Sequence, residues 1–171
     1  MNLFSPNPRF RIYTSPCFYL SILSDLFLGR VNKGDECSNI ENEIKVRFGV
    51  AHAICTPQAR MGIYLAIKSM VKPGEKIILS PYTIADVINM VICAGAKPVF
   101  ADIDSKSCNI DPVEVEKLVD NNTSAVMVTH LHGLACQIES FTEICKKHNL
   151  VLIEDAAQSF GAKLNGRFVG S

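Results

Sequence analysis

The chain has 171 residues, 48% of them apolar, and lysine plus arginine equals aspartate plus glutamate at 17 each. That length and apolar content predict one folded domain with a core, not a disordered chain. The balanced charge argues against nucleic acid or an anionic membrane as the main partner and favours a small charged metabolite or a protein surface.

Residues 1–16 carry Pro6, Pro8 and Pro16, which predicts irregular backbone. Cys17 to Leu28 is apolar but interrupted by Asp25. It is too short to span a bilayer, and it reads as an amphipathic helix. A cleaved signal peptide is the alternative, with Arg9 and Arg11 giving only part of the basic start that such a signal needs. Residues 29–39 are polar and punctuated by glycine, as in a loop. Ile40 to Phe48 predicts a short helix ended by Gly49.

From residue 50 strands and helices are expected to alternate. Val50–Cys55 reads as a short apolar strand, and Pro57–Val71 has helical spacing up to Pro73-Gly74. Lys76–Leu79 reads as a strand, Thr83–Ala94 as a helix, and Pro98–Ala101 as a strand. Pro112–Val119 reads as a helix with Asp111 as N-cap and Pro112 in the first turn. Ser124–Val128 is a strand, Ile138–His148 a helix and Leu150–Ile153 a strand. Lys163–Val169 has the pattern of a hairpin around Asn165-Gly166. Solidly apolar strands between helices predict an α/β fold, with a mostly parallel sheet covered by helices on both faces. No internal repeat or low-complexity segment interrupts it.

The seven cysteines are Cys17, Cys37, Cys55, Cys93, Cys108, Cys136 and Cys145. Their odd number and the lack of CxxC spacing predict reduced thiols of a cytosolic protein. Cys55, Cys93 and Cys145 lie in apolar runs and are expected to be buried. No Cys/His cluster has zinc-ligand spacing. A dinucleotide or P-loop domain is disfavoured, because neither GxGxxG nor GxxxxGK[ST] is present.

In parallel α/β sheets, ligands gather beyond the carboxyl ends of the strands. The segments after Cys55, Leu79, Val128 and Ile153 therefore hold the candidates. Thr56 is a plausible N-cap with Pro57 at the first helical position. The N–H groups of Gln58 and Ala59 would then stand free at a positive helix end that can hold a phosphate, although most helix starts bind nothing. Thr83 is a possible cap for the next helix. Tyr82 fits either a ring lying on a planar ligand or a core side chain. His130 and His132 resemble a metal pair, but no nearby carboxylate or cysteine completes a zinc set. Stacking or hydrogen bonding at the site mouth fits them better. Glu154-Asp155-Ala156-Ala157-Gln158 places two acids at the end of a buried strand. Either they decorate a helix start, or one of them pairs with a cation such as a protonated ring nitrogen.

Together these blocks resemble the DegT/DnrJ/EryC1/StrS family of sugar aminotransferases, which depend on pyridoxal 5′-phosphate (PLP). The resemblance runs from about Gly29 to the last residue. It rests on Phe48 to Ile54, Thr56 to Arg60, Pro81-Tyr82-Thr83, the AGAKPVFADID block from Ala94 to Asp104, Asn109 to Pro112, His130 to Gly133, and Glu154 to Gln158 with Gly161.

The resemblance implies the fold-type-I architecture. Residues 1–39 would be an N-terminal arm and helix, and residues 40–171 part of the large PLP-binding domain. It implies that Asp155 pairs with the PLP ring nitrogen and keeps it protonated. It implies that Gln158 lies near the cofactor's phenolic oxygen, and that Gln58 and Ala59 bind its phosphate through backbone. Tyr82 or Ile84 would cover the ring. Pro57 departs from the small residue usual in the phosphate turn and cannot donate. Arg60 also replaces a small residue; it would add a cationic contact or point to solvent.

The family's Schiff-base lysine sits in a Ser-Phe-x-x-x-Lys motif that is expected beyond Ser171. The 171 residues are thus expected to be an N-terminal portion, inactive alone, that exposes apolar surface and aggregates or needs a partner. The whole enzyme would be a cytoplasmic homodimer, moving an amino group from an amino-acid donor to a nucleotide-linked keto sugar. A non-catalytic PLP-binding or subunit-interaction module is the alternative, as is part of a sugar dehydratase on the same scaffold.

Overall fold

The computed structural model describes residues 14–30 and 34–171. The prolines at 6 and 8 and the arginines at 9 and 11 lie outside the described residues. In chain order the helices and strands are α1 (Pro16–Phe27), α2 (Glu36–Phe48), α3 (Ala59–Met70), β1 (Lys76–Leu79), α4 (Ala85–Cys93), β2 (Lys97–Phe100), α5 (Pro112–Leu118), β3 (Thr123–Thr129), α6 (Ile138–His148), β4 (Val151–Asp155), β5 (Lys163–Leu164) and β6 (Arg167–Phe168).

The central sheet is four-stranded, in the order β2-β1-β3-β4, with every pairing parallel. Alternation along each strand sends side chains to two separate cores. Ile77, Leu79, Ala125, Met127 and Ile153 pack under α3 and α4 with Ile67, Val87 and Val91. Ile78, Val126 and Val128 pack on the other face with Val115 of α5 and with Phe141, Ile144 and Cys145 of α6. Apolar side chains on both faces are why these strands read as continuous apolar runs rather than alternating ones. The chain leaves β1 through α4 to β2, then returns through α5 on the opposite face to β3. The strand order therefore reverses between β1 and β3, and a crevice opens beyond their carboxyl ends.

Local signals account for the element ends. Asp111 accepts a hydrogen bond from the Val113 N–H at 2.8 Å and caps α5, with Pro112 in its first turn. Gly49 ends α2 at φ 70°. The hairpin β5–β6 turns on Asn165 (φ 50°) and Gly166 (φ 83°). Two successive positive φ values make the turn that suits the twist of paired strands, and Asn-Gly takes them at least cost.

Several expectations need correction. Val50–Cys55 is not a strand. Ile54 is 82% exposed, and the segment pairs with none of the sheet strands; its Cys55 N–H is instead taken by Glu41 Oε1 at 2.7 Å. Apolar composition alone does not supply a sheet edge to join. Helix α2 starts at Glu36, so part of the expected loop is helical. Helices α3 and α4 start later than expected, with Gln58 and Ile84 as N-cap residues in place of Thr56 and Thr83. Helix α1 forms but buries no residue, so it has no core-facing side. Cys145 is buried as expected, but Cys55 and Cys93 are exposed, and Cys136 is the other buried thiol. No helix among the described residues is long and apolar enough to cross a membrane.

Candidate active site

Three strand ends build one cleft of about 230 Å³. The segment after β1 brings Tyr82 and Ile84, the end of β3 brings Thr129, and the end of β4 brings Asp155 with Gln158 just beyond. The backbone explains each placement. Ser80, buried at the end of β1, accepts the Tyr82 N–H on its hydroxyl at 3.0 Å and sets the turn. Tyr82 is left 49% exposed and Ile84 64% exposed, so Tyr82 is not a core residue. Both are free to cover a ligand.

Asp155 ends β4 opposite Thr129. Its Oδ1 accepts the Ala157 N–H at 3.0 Å, which turns the chain sharply after the strand. Its other carboxylate oxygen has no hydrogen bond among the described residues. Gln158 Oε1 accepts the His132 N–H at 3.1 Å. With the amide oxygen committed to that donor, the amide NH₂ is left to donate elsewhere. His132 sits in a 3₁₀ turn, Leu131–Gly133, at φ 56°, and its ring lies 6.2 Å from that of Tyr82.

Gln58 and Ala59 do not line this cleft. Gln58 is the extended N-cap residue of α3, and the N–H groups at the helix start, Ala59 and Arg60, have no side-chain cap. Their positive end is open to an anion. Arg60 donates to Asp86 in the first turn of α4 at 2.9 Å. That ion pair ties the start of α3 to the start of α4, directly after Ile84. Both partners are about half exposed, so the tie is weak.

The partner of the other strand-end acid, Glu154, is His130, which no local pattern in the sequence pointed to. His130 is 0% exposed. Its Nδ1 accepts the Cys136 N–H at 3.0 Å, so the ring proton sits on Nε2 and is donated to Glu154 Oε2 at 3.0 Å. The same oxygen accepts the Gly170 N–H at 2.9 Å. Burial pushes the Glu154 carboxyl up, but the His130 hydrogen bond, the Gly170 N–H and the positive charge of Arg167 outweigh it and hold it below the usual glutamate value. Charge pattern in the sequence marked Glu154 but carried no sign of which histidine would meet it. No group of three or more His, Cys, Asp or Glu side chains suited to a metal occurs among the described residues, and both ring nitrogens of His130 are taken by Cys136 and Glu154.

A model of the DegT/DnrJ/EryC1/StrS aminotransferase family matches residues 25–171. The pleiotropic regulatory protein of Geobacillus stearothermophilus is 39% identical over 138 residues, covering 80% of this chain and 37% of that protein. The GDP-perosamine synthase of Vibrio cholerae is 31% identical over 141 residues, covering 82% of this chain and 38% of that protein. The crystal structure of an aminotransferase from Psychrobacter cryohalolentis superposes with a TM-score of 0.86 at 30% identity, over 98% of this chain and 42% of that one. The chain thus spans 37–38% of the length of these two curated relatives, and its sheet has the fold-type-I arrangement.

Proposed function

Because the chain belongs to the DegT/DnrJ/EryC1/StrS aminotransferase family, we propose that it supplies the cofactor-binding face of a PLP-dependent sugar aminotransferase. The observation that carries this reading is the meeting of Tyr82, Ile84, Asp155 and Gln158 in one cleft at the carboxyl edge of the parallel sheet.

The residues fit the cofactor chemically. Asp155 has a carboxylate oxygen free for a protonated ring nitrogen, and a cationic partner stabilises a carboxylate at a strand end. Gln158 has a free NH₂ for a phenolate oxygen. Tyr82 and Ile84 cover a planar ring from the β1 side. The uncapped start of α3, with the N–H groups of Ala59 and Arg60, suits a phosphate, and Gln58 sets the turn that exposes them. When bound, PLP supplies an electron sink for bonds at an amine-bearing carbon. The chain's own part is to hold the ring, fix its face and keep its nitrogen protonated.

The substrate class follows the relatives. One of them is named GDP-perosamine synthase, which supports a nucleotide-linked sugar; in this reading the acceptor is the keto form of such a sugar and the amino donor is an amino acid. In this reading the whole enzyme is a cytoplasmic homodimer. Residues 40–171 are part of its large domain, residues 1–39 an arm, and the Schiff-base lysine is supplied from outside the 171 residues. A second reading, a regulatory or subunit-interaction module that binds the cofactor without turnover, draws on the name of the Geobacillus relative.

The test is equilibrium titration of the chain with pyridoxamine phosphate, which needs no lysine. Saturable binding is expected. Asp155→Asn is expected to weaken it by about 1.5–3 kcal/mol, the range for a hydrogen bond to a charged group. No saturable binding, or equal binding by Asp155→Asn, would count against the site. Borohydride reduction of the PLP complex then bears on the lysine: no lysine of this chain is expected to trap the cofactor stoichiometrically, and one that did would contradict that part of the reading.

A further inference from the structure

We propose that His130 and Glu154 are positioning residues that aim the Asp155 carboxylate into the cofactor cleft. The inference rests on the PLP reading of that cleft. Successive side chains of β4 point to opposite faces, so the rotation of the strand end that fixes Glu154 also fixes Asp155. Glu154 borders a hollow beside α6, and Asp155 borders the cleft. What holds that rotation is a closed set of bonds around His130. Its ring joins the Cys136 N–H to Glu154. Its own N–H donates to the Asp155 carbonyl at 3.0 Å. Its carbonyl accepts the Ser159 hydroxyl at 2.8 Å. The Gly170 N–H closes on Glu154 from the hairpin side. Both ring nitrogens and both backbone groups of this fully buried residue are therefore taken, three of the four by Glu154, Asp155 and Ser159 at the strand end and turn that carry Asp155, and the fourth by Cys136, which anchors the ring.

Glu154 touches none of the cleft, so its effect on the cofactor must pass through Asp155. That makes the two effects non-additive. The experiment is a double-mutant cycle in the full chain, read as the dissociation constant for pyridoxamine phosphate. Glu154→Ala and His130→Phe, which lose the link, are expected to weaken binding by roughly 10-fold, as for loss of an outer partner that orients a binding group. Glu154→Gln keeps an acceptor for both donors and is expected to bind like the unaltered chain. Glu154→Ala placed on Asp155→Asn is expected to have no further effect. If Asp155→Asn binds like the unaltered chain, the PLP reading of the cleft fails. If Asp155→Asn is weakened but Glu154→Ala is not, or if Glu154→Ala weakens Asp155→Asn as much as it weakens the unaltered chain, the positioning role fails. Should His130→Phe not fold, the Glu154 variants decide alone.

Discussion

Glu154 and Asp155 are neighbours in β4 that serve opposite sides of the sheet: the first meets buried His130 at 3.0 Å, and the second opens into the cleft. The acid pair therefore divides into a buried-contact member and a cleft-facing member.

The buried-contact member makes stability depend on pH. The folded Glu154 carboxyl lies below its ordinary value of 4.5. Its ionised form therefore adds stability above that value, and the contribution is lost as pH falls through the folded value. Melting temperatures across that acid range are expected to drop more steeply for the unaltered chain than for Glu154→Gln. Parallel curves would contradict the pairing.

The thiols should divide by burial. Burial pushes Cys136 up to about 12, with the nearby Glu154 charge adding to it, and Cys145 up to about 11. The thiolate is the reactive form. With a disulfide reagent at neutral pH, Cys17, Cys37 and Cys93 are expected to react in the folded chain, and Cys136 and Cys145 only on unfolding. Rapid labelling of Cys136 in the folded state would contradict its place in the core.

Helix α1 should drive association. Phe18, Leu20, Leu23 and Phe27 are all at least 49% exposed, Phe27 reaching 86%. A contiguous apolar surface of this kind promotes self-association. Sedimentation velocity is expected to show concentration-dependent association that Leu23→Ser/Phe27→Ser reduces. A monomer at all concentrations would contradict it.

The second core rests on Phe141, which is 0% exposed under α6. Phe141→Ala is expected to cost about 3–5 kcal/mol of stability in urea unfolding, from lost transfer free energy and a residual cavity. A loss below about 1 kcal/mol would mean that α6 packs otherwise.

Much of this was legible in the sequence, for identifiable reasons. The strands of the central sheet are buried on both faces, so short apolar runs marked them. Pro112 after Asp111, and Asn165-Gly166, fixed an α5 start and a hairpin, because those residues favour a few backbone states. Val50–Cys55 misled because its apolar composition matched a strand, while strand formation requires a neighbour with free hydrogen-bonding groups. Thr56 and Thr83 misled because any nearby hydroxyl looks like a cap until the backbone shows where the helix begins. In the site, Tyr82, Ile84, Asp155 and Gln158 meet because β1 and β4 flank β3 in a parallel sheet, so the segments after them leave the same edge. The resemblance named them, but local pattern could not bring them together. The His130–Glu154 link was hidden because it joins two strand ends across the sheet, and no spacing in the chain encodes it.

In the proposed reading, Asp155 holds the cofactor's ring nitrogen in its protonated form. The most direct measurement is the ¹⁵N resonance of ring-labelled pyridoxamine phosphate bound to the chain at neutral pH. A protonated ring nitrogen is predicted with the unaltered chain, and an unprotonated one with Asp155→Asn. The same resonance position with both proteins would contradict the account.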